Sequence, residues 1–171
     1  MGDIGDPSIS QRVDANIMNV PLDQLMLLPK DTFRAKVDKI LERTNGQLIV
    51  KEYPQGTAGA HHFRHLLSEL RLKKNFVPDI IYIDYLNLCI SSRMKHGSNV
   101  NSYTYVMSIA QELRGLAQEY ELPVVSATQL NRGSFSSSDP GLDDVSDSFG
   151  ISFTADWVVA VTQNEQLKSL N

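Results

Sequence analysis

An apolar run, Ile80-Ile81-Tyr82-Ile83, ends in a carboxylate, Asp84. A carboxylate at the end of a buried strand is costly unless it holds a cation or a hydrogen-bond donor. In nucleoside triphosphatases an aspartate so placed is the Walker B residue, which holds Mg²⁺ directly or through water. The plainer alternative is an aspartate that caps the helix after the strand. A second apolar run, Val124-Val125-Ser126-Ala127, leads into Thr128-Gln129 and on to Asn131-Arg132. A neutral amide such as Gln129 can orient a water or bond a γ-phosphate and report nucleotide state to the following loop. Its plainer role is to cap a sheet edge. One helical stretch separates the two runs, as a strand–helix–strand unit requires.

Other reactive groups are weaker candidates. His61 and His65 stand four apart at the start of a helical stretch, a spacing that can bind Zn²⁺, but no cysteine or H-E-x-x-H pattern supports a metal there. Gly56-Thr57-Ala58-Gly59 looks like a phosphate loop without its lysine and reads as a turn into that helix. The lone cysteine, Cys89, reads as a core residue, and Arg71, Lys73 and Lys74 as a solvated helix end.

The elements that must position Asp84 and Gln129 follow from periodicity. Helices are expected over 8–19, with Ser8 or Ser10 as cap and Val13, Ile17 and Met18 on one face. Further helices are expected from Pro21 to Met26 and over 31–44, the last capped by Asp31 with a stripe of Phe33, Val37, Ile40 and Leu41. Apolar spacing also marks helices over 60–75 and 103–120. Strands are expected over 47–53, 79–86, 123–129 and 156–163. The second is apolar on both parities, as a strand buried on both faces would be. Strands alternating with helices argue an α/β fold, a parallel sheet covered on both faces. In such sheets ligands sit at the carboxyl ends of the strands, where Asp84 and Gln129 fall.

Composition narrows the classes. At 171 residues, 42% hydrophobic and 21% charged, the chain can bury a core without metal or disulfide staples. It has no apolar run near the roughly 20 residues a membrane helix needs, and its start lacks the pattern of a signal peptide. One cysteine fits a reducing compartment. The net charge of −4 excludes a strongly basic coat but not a local basic patch.

Several blocks, in order, resemble a known family. IIYIDYLNL, a helix ending in LRGLAQEYELPVV, then SATQLNR and FTADWVVAV are similar to the ATPase core of DnaB-type replicative helicases. QRVDAN, LIVKEYP, LKKNFVPDII, NSYTYV and SDSFG look most like the T-even bacteriophage branch. The resemblance runs from about Gln11 to Glu165. It implies a three-layer RecA-like sheet with helices on both faces, and a homo-hexamer that uses ATP and Mg²⁺ to move along single-stranded DNA and unwind the duplex. A primase or loader partner, no membrane, and a phage replisome in the bacterial cytoplasm follow from the same likeness. Residue by residue, Asp84 matches the Walker B metal ligand and Gln129 the amide that links the γ-phosphate to the DNA loops. Residues 90–102 and 132–148 match the two channel-facing loops. Arg93, Lys95, Asn131, Arg132, Ser146, Ser148 and Gly150 are the DNA-contact candidates.

The departures from the pattern matter. Where bacterial members have Asp-Leu-Arg-Glu-Ser-Gly, this chain has Asp144-Val145-Ser146-Asp147-Ser148-Phe149, so Ser146 replaces the arginine. Residues 133–148 hold four Asp and no Lys or Arg, leaving backbone N–H and hydroxyl donors for phosphate. No G-x-x-x-x-G-K-[ST] occurs, so the phosphate cradle of the Walker A loop is missing from these 171 residues. Asp3 and Asp6 do not stand in for the family's catalytic Glu. The expectation is one partial ATPase domain over 1–171, lacking the P-loop strand, the arginine finger and the C-terminal hairpin, with no nucleotide tightly bound and no activity of its own. The alternative is a non-catalytic nucleic-acid-binding or ring-interaction module of the same fold. Without a central P-loop strand, 123–129 and 156–163 are expected to close on each other or to recruit a strand from another copy.

Overall fold

The computed structural model describes residues 7–95, 102–128, 153–159 and 161. The chain divides into two compact units, Met1–Tyr53 and Pro54–Asn171.

The first unit is helical. Helix α1 spans Pro7–Met18, α2 Leu22–Leu25 and α3 Lys30–Leu41. Pro7 suits a first helical position, where a missing N–H costs nothing. Ser8 and Ser10 therefore lie inside the helix rather than capping it. Asn19 ends α1 in the left-handed region, at φ 51°, and lets Val20 N–H reach back to the Ala15 carbonyl at 2.9 Å. Prolines precede both α2 and α3. Pro29, not Asp31, sits at the cap of α3, and Asp31 falls in its first turn, where a negative charge suits the helix dipole. Ala15, Met18 and Leu25 are buried, with Val20, Leu28, Phe33, Val37 and Ile40 packed on them. Leu41 and Ile17 are exposed instead of joining this core. Residues 47–53 form no strand, because no described segment offers them a ladder partner.

The second unit holds the sheet. Helix α4 spans Ala60–Lys74, strand β1 Ile81–Ile83, helix α5 Ser102–Tyr120 and strand β2 Val124–Ser126. A single 3₁₀ turn covers Leu86–Leu88. Strands β1 and β2 pair in parallel, Ile81 opposite Val124 and Ile83 opposite Ser126, with α5 as the crossover. Ile109, Ala110 and Leu113 of α5 pack with Ala60, Leu86, Cys89 and Tyr105, and with Phe63, Ile83, Met94 and Val106 at the margin. Leu116 is fully buried, at 0% exposure. Asn75 and Glu121, both at positive φ, end α4 and α5 as Asn19 ends α1.

Two expectations for the sheet are corrected. Strand β1 is not buried on both faces: Tyr82 is 69% exposed and its register partner Val125 is exposed too. With two strands among the described residues, only the face toward α5 is packed. Residues 157–159 form no strand and do not close on β2. Trp157 is 86% exposed. An apolar run becomes a strand only where a neighbouring edge accepts its hydrogen bonds.

Candidate functional site

The carboxyl ends of β1 and β2 lie side by side because the strands are parallel and in register. Asp84 leaves β1 there, with a cis peptide bond to Tyr85. The two departing segments are tied together. Ser126 Oγ donates to the Ile83 carbonyl at 2.8 Å, Leu86 N–H to the Ala127 carbonyl at 3.2 Å, and Thr128 Oγ1 to Asn87 Oδ1 at 2.9 Å. Asp84 is exposed, so the burial cost expected for it does not arise; its place at the strand end does hold. Among the described residues no group engages its carboxylate, and none of them gather three or more His, Cys, Asp or Glu side chains around a metal position. A lone accessible carboxylate suits Mg²⁺, which keeps several waters and takes one or two carboxylates beside substrate phosphates. It does not suit a cation that demands an all-protein cage.

After the 3₁₀ turn the chain runs through Ile90 to Lys95. Its start is stitched to the loop before α4: Gly56 N–H donates to the Leu88 carbonyl at 3.0 Å, and Ile90 N–H to the Ala58 carbonyl at 2.8 Å. Gly59 is required at this approach, because a Cβ there would collide with the Ile90 carbonyl oxygen. The next residues are held by Glu112 of α5, whose side chain is buried inside the unit. Its carboxylate accepts from the Ser91 and Ser92 hydroxyls, both at 2.5 Å, from Ser92 N–H at 2.9 Å and from Arg93 N–H at 3.4 Å. Ser108 Oγ adds a bond at 3.3 Å. Burial would raise the Glu112 pKa, but the Ser91 and Ser92 hydroxyls and the Ser92 and Arg93 amides outweigh it and hold the carboxyl below its ordinary range. Arg93 and Lys95 are both exposed beyond this anchor.

Sequence reasoning missed Glu112. The signal was there: it follows Ile109 by three residues and precedes Leu116 by four, so it falls on the inward stripe of α5, one turn after Ser108. Also missed was Arg114, whose guanidinium donates to the Thr154 carbonyl at 2.6 Å and to Asp156 at 2.8 Å. That pairing fixes the start of the 153–159 segment against α5.

Gln129, Asn131, Arg132, Ser146, Ser148 and Gly150 lie outside the described residues. The structure thus brings Asp84 to the edge that Thr128 also reaches, and places Arg93 and Lys95 together on the 88–95 segment. Cys89 is buried in the core, which pushes its thiol pKa up. The His61 and His62 ring centroids lie 3.8 Å apart, with the rings tilted by 41°. His62 Nδ1 accepts the Gly59 N–H at 3.1 Å, so it serves the α4 terminus rather than a metal. Burial, then the neighbouring His61 and His65, lower its pKa. The turn expected over 56–59 is present, with Gly56 at φ 71° and Thr57 Oγ1 donating to the Pro54 carbonyl at 2.6 Å.

A crossover-linked parallel pair, with a carboxylate at the strand end and cross-tied exits, defines the class: an α/β protein, in which ligands commonly meet the sheet at its carboxyl edge. The family model for the DnaB-like helicase C terminal domain matches residues 6–171, and the chain belongs to that family. It is 45% identical over 161 residues to a DnaB-like replicative helicase of Enterobacteria phage T4, covering 92% of this chain and 34% of that protein. It is 37% identical over 82 residues to the replicative DNA helicase DnaB of Helicobacter pylori (strain 26695), covering 47% of this chain and 16% of that one. The chain therefore spans about a third or less of these relatives. A solved DnaB-like replicative helicase, described with its interactions with primase, superposes with a TM-score of 0.65 at 20% identity, over 90% of this chain and 37% of that one. The fold is that of the DnaB-like C-terminal domain, helices with a small parallel sheet.

Proposed function

We propose that this chain is part of the ATPase motor of a phage-type replicative DNA helicase, a partial RecA-like domain that couples ATP hydrolysis to movement along single-stranded DNA and duplex unwinding. The observation that carries the reading is Asp84, an accessible carboxylate at the carboxyl edge of a parallel pair, in a chain of this family. Asp84 would hold Mg²⁺ there, and the metal would supply charge neutralisation at the transferred phosphoryl group. Gln129 would sense the γ-phosphate, and Thr128, bonded to Asn87, ties its segment to the Asp84 turn. Arg93 and Lys95, with Asn131, Arg132, Ser146, Ser148 and Gly150, would meet the DNA backbone. The working assembly would be a homo-hexamer in the cytoplasm of a bacterial host, with a primase or loader as partner, in line with the primase contact named for the solved relative. Among the described residues no helix is long and apolar enough to cross a membrane.

The residues of this sequence do not by themselves fit ATP, since no G-x-x-x-x-G-K-[ST] run is among them. The isolated chain is therefore expected to show no DNA-stimulated ATP turnover in a phosphate-release assay. Turnover that disappears on Asp84→Ala would overturn that. In a protein that joins this chain to a P-loop, Asp84→Asn should abolish hydrolysis, and Gln129→Ala should weaken the coupling between DNA binding and hydrolysis. Full stimulation in Gln129→Ala would remove Gln129 from its role. The absent P-loop also favours a second reading, a non-catalytic nucleic-acid-binding or ring-interaction module. DNA binding by the isolated chain, with no turnover even when a P-loop is supplied, would select it.

A further inference from the structure

A carboxylate taken into a protein interior is normally balanced by a cation. Glu112 is 5% exposed, and among the described residues no ion pair includes it. Its balance comes instead from neutral donors, and all but the Ser108 hydroxyl belong to one stretch, Ser91-Ser92-Arg93. The stretch is closed on itself as well. Ser91 Oγ accepts from the amides of Arg93 and Met94, each at 3.1 Å, and Ser91 N–H donates to the Tyr105 hydroxyl at 3.2 Å. The backbone from Ser91 to Met94 is thus fixed from behind, while Arg93 and Lys95 remain exposed.

We infer that Glu112 is a positioning residue: from inside α5 it fixes the backbone that presents Arg93 and Lys95 to the phosphates of a single-stranded nucleic acid. The inference rests on the DNA-contact role of Arg93 and Lys95 proposed above. It deepens that role by naming the group that sets the geometry of the grip. An apolar residue at 112 would leave the Ser92 and Arg93 amides without this acceptor, so the carboxylate sets the backbone path here rather than only filling the core.

Charge makes the test decisive. Removing a negative charge behind two cations tightens phosphate binding if Glu112 acts only through its field. Removing a positioning group weakens binding. The experiment measures affinity of the 171-residue chain for a fluorescent oligo(dT) by anisotropy, across a salt series, for the unaltered chain, Glu112→Gln and the double variant Arg93→Ala/Lys95→Ala. Each lost single-strand phosphate contact reduces the slope of log affinity against log salt by about 0.7, which at 0.1 M salt is about a fivefold loss. The double variant is expected to bind more weakly with a slope shallower by about 1.4. Glu112→Gln is expected to bind about fivefold more weakly with a slope shallower by about 0.7. Weakening in the double variant, with unchanged or tighter binding in Glu112→Gln, overturns the inference and leaves the DNA role of Arg93 and Lys95 standing. No effect in the double variant, or no binding by the unaltered chain, overturns that role and the inference with it. If Glu112→Gln does not fold, Ser92→Ala replaces it, since it keeps the charge and loses only the hydroxyl bond to Glu112: weaker binding is expected, and unchanged binding overturns the inference.

Discussion

Single side chains set the local tolerances of this molecule, and two of them respond to acid. Glu112 has a folded pKa held below its ordinary range. Its contribution to stability is therefore complete above the unfolded value and is lost as pH falls through the lower folded value. The amides of Ser92 and Arg93 are expected to lose protection over that window once intrinsic exchange rates are divided out, and protection that persists through it would contradict the carboxylate's role. His62 is also lowered, so the fold favours its neutral form. That contribution is present above the ordinary histidine value and declines as pH falls from there to the folded value. Gly59 is the steric counterpart. Gly59→Ala drives a Cβ into the backbone of Ile90 and should cost about 2 kcal/mol in urea unfolding. At this scale the sequence was legible where a residue type stands out against its surroundings, as Asp84 does after four apolar residues. Gly59 was not legible that way, because the collision that demands a glycine comes from a residue 31 positions on.

Elements were legible wherever their hydrogen bonds are local. Helices α4 and α5 follow from apolar spacing alone, and Leu67, Leu70, Ile109 and Leu113 are buried as that spacing requires. Strands depend on partners that periodicity does not name. The run 79–86 keeps only Ile81–Ile83 as strand, because β2 offers it three register positions. The runs 47–53 and 157–159 have the composition of strands and find no ladder among the described residues. The core beneath the sheet is the element with most to lose. Leu116→Ala removes a fully buried side chain and should destabilise by about 3 kcal/mol. Thr128→Val removes the bond to Asn87 and should cost about 1 kcal/mol, read from the same denaturation curves.

For the whole molecule, a net charge of −4 limits how the proposed nucleic-acid partner would be held. A general basic surface is absent, so the proposed binding would have to come from a few placed cations. With Arg93, Lys95 and Arg132 as the candidates, the slope of log affinity against log salt for single-stranded DNA is expected near −2. A slope steeper than about −4 would require cationic contacts that these three do not supply. The parallel pairing of β1 with β2 also has a consequence in time. Ile83 meets Ser126 43 residues further along the chain. A ribosome adding about 5–20 residues per second needs on the order of 2–9 s to deliver that partner. Throughout that interval the nascent Ile80–Ile83 run, Tyr82 included, waits unpaired outside the tunnel. Synthesis of this protein therefore includes a window of seconds in which an apolar strand edge has to be shielded from neighbouring chains.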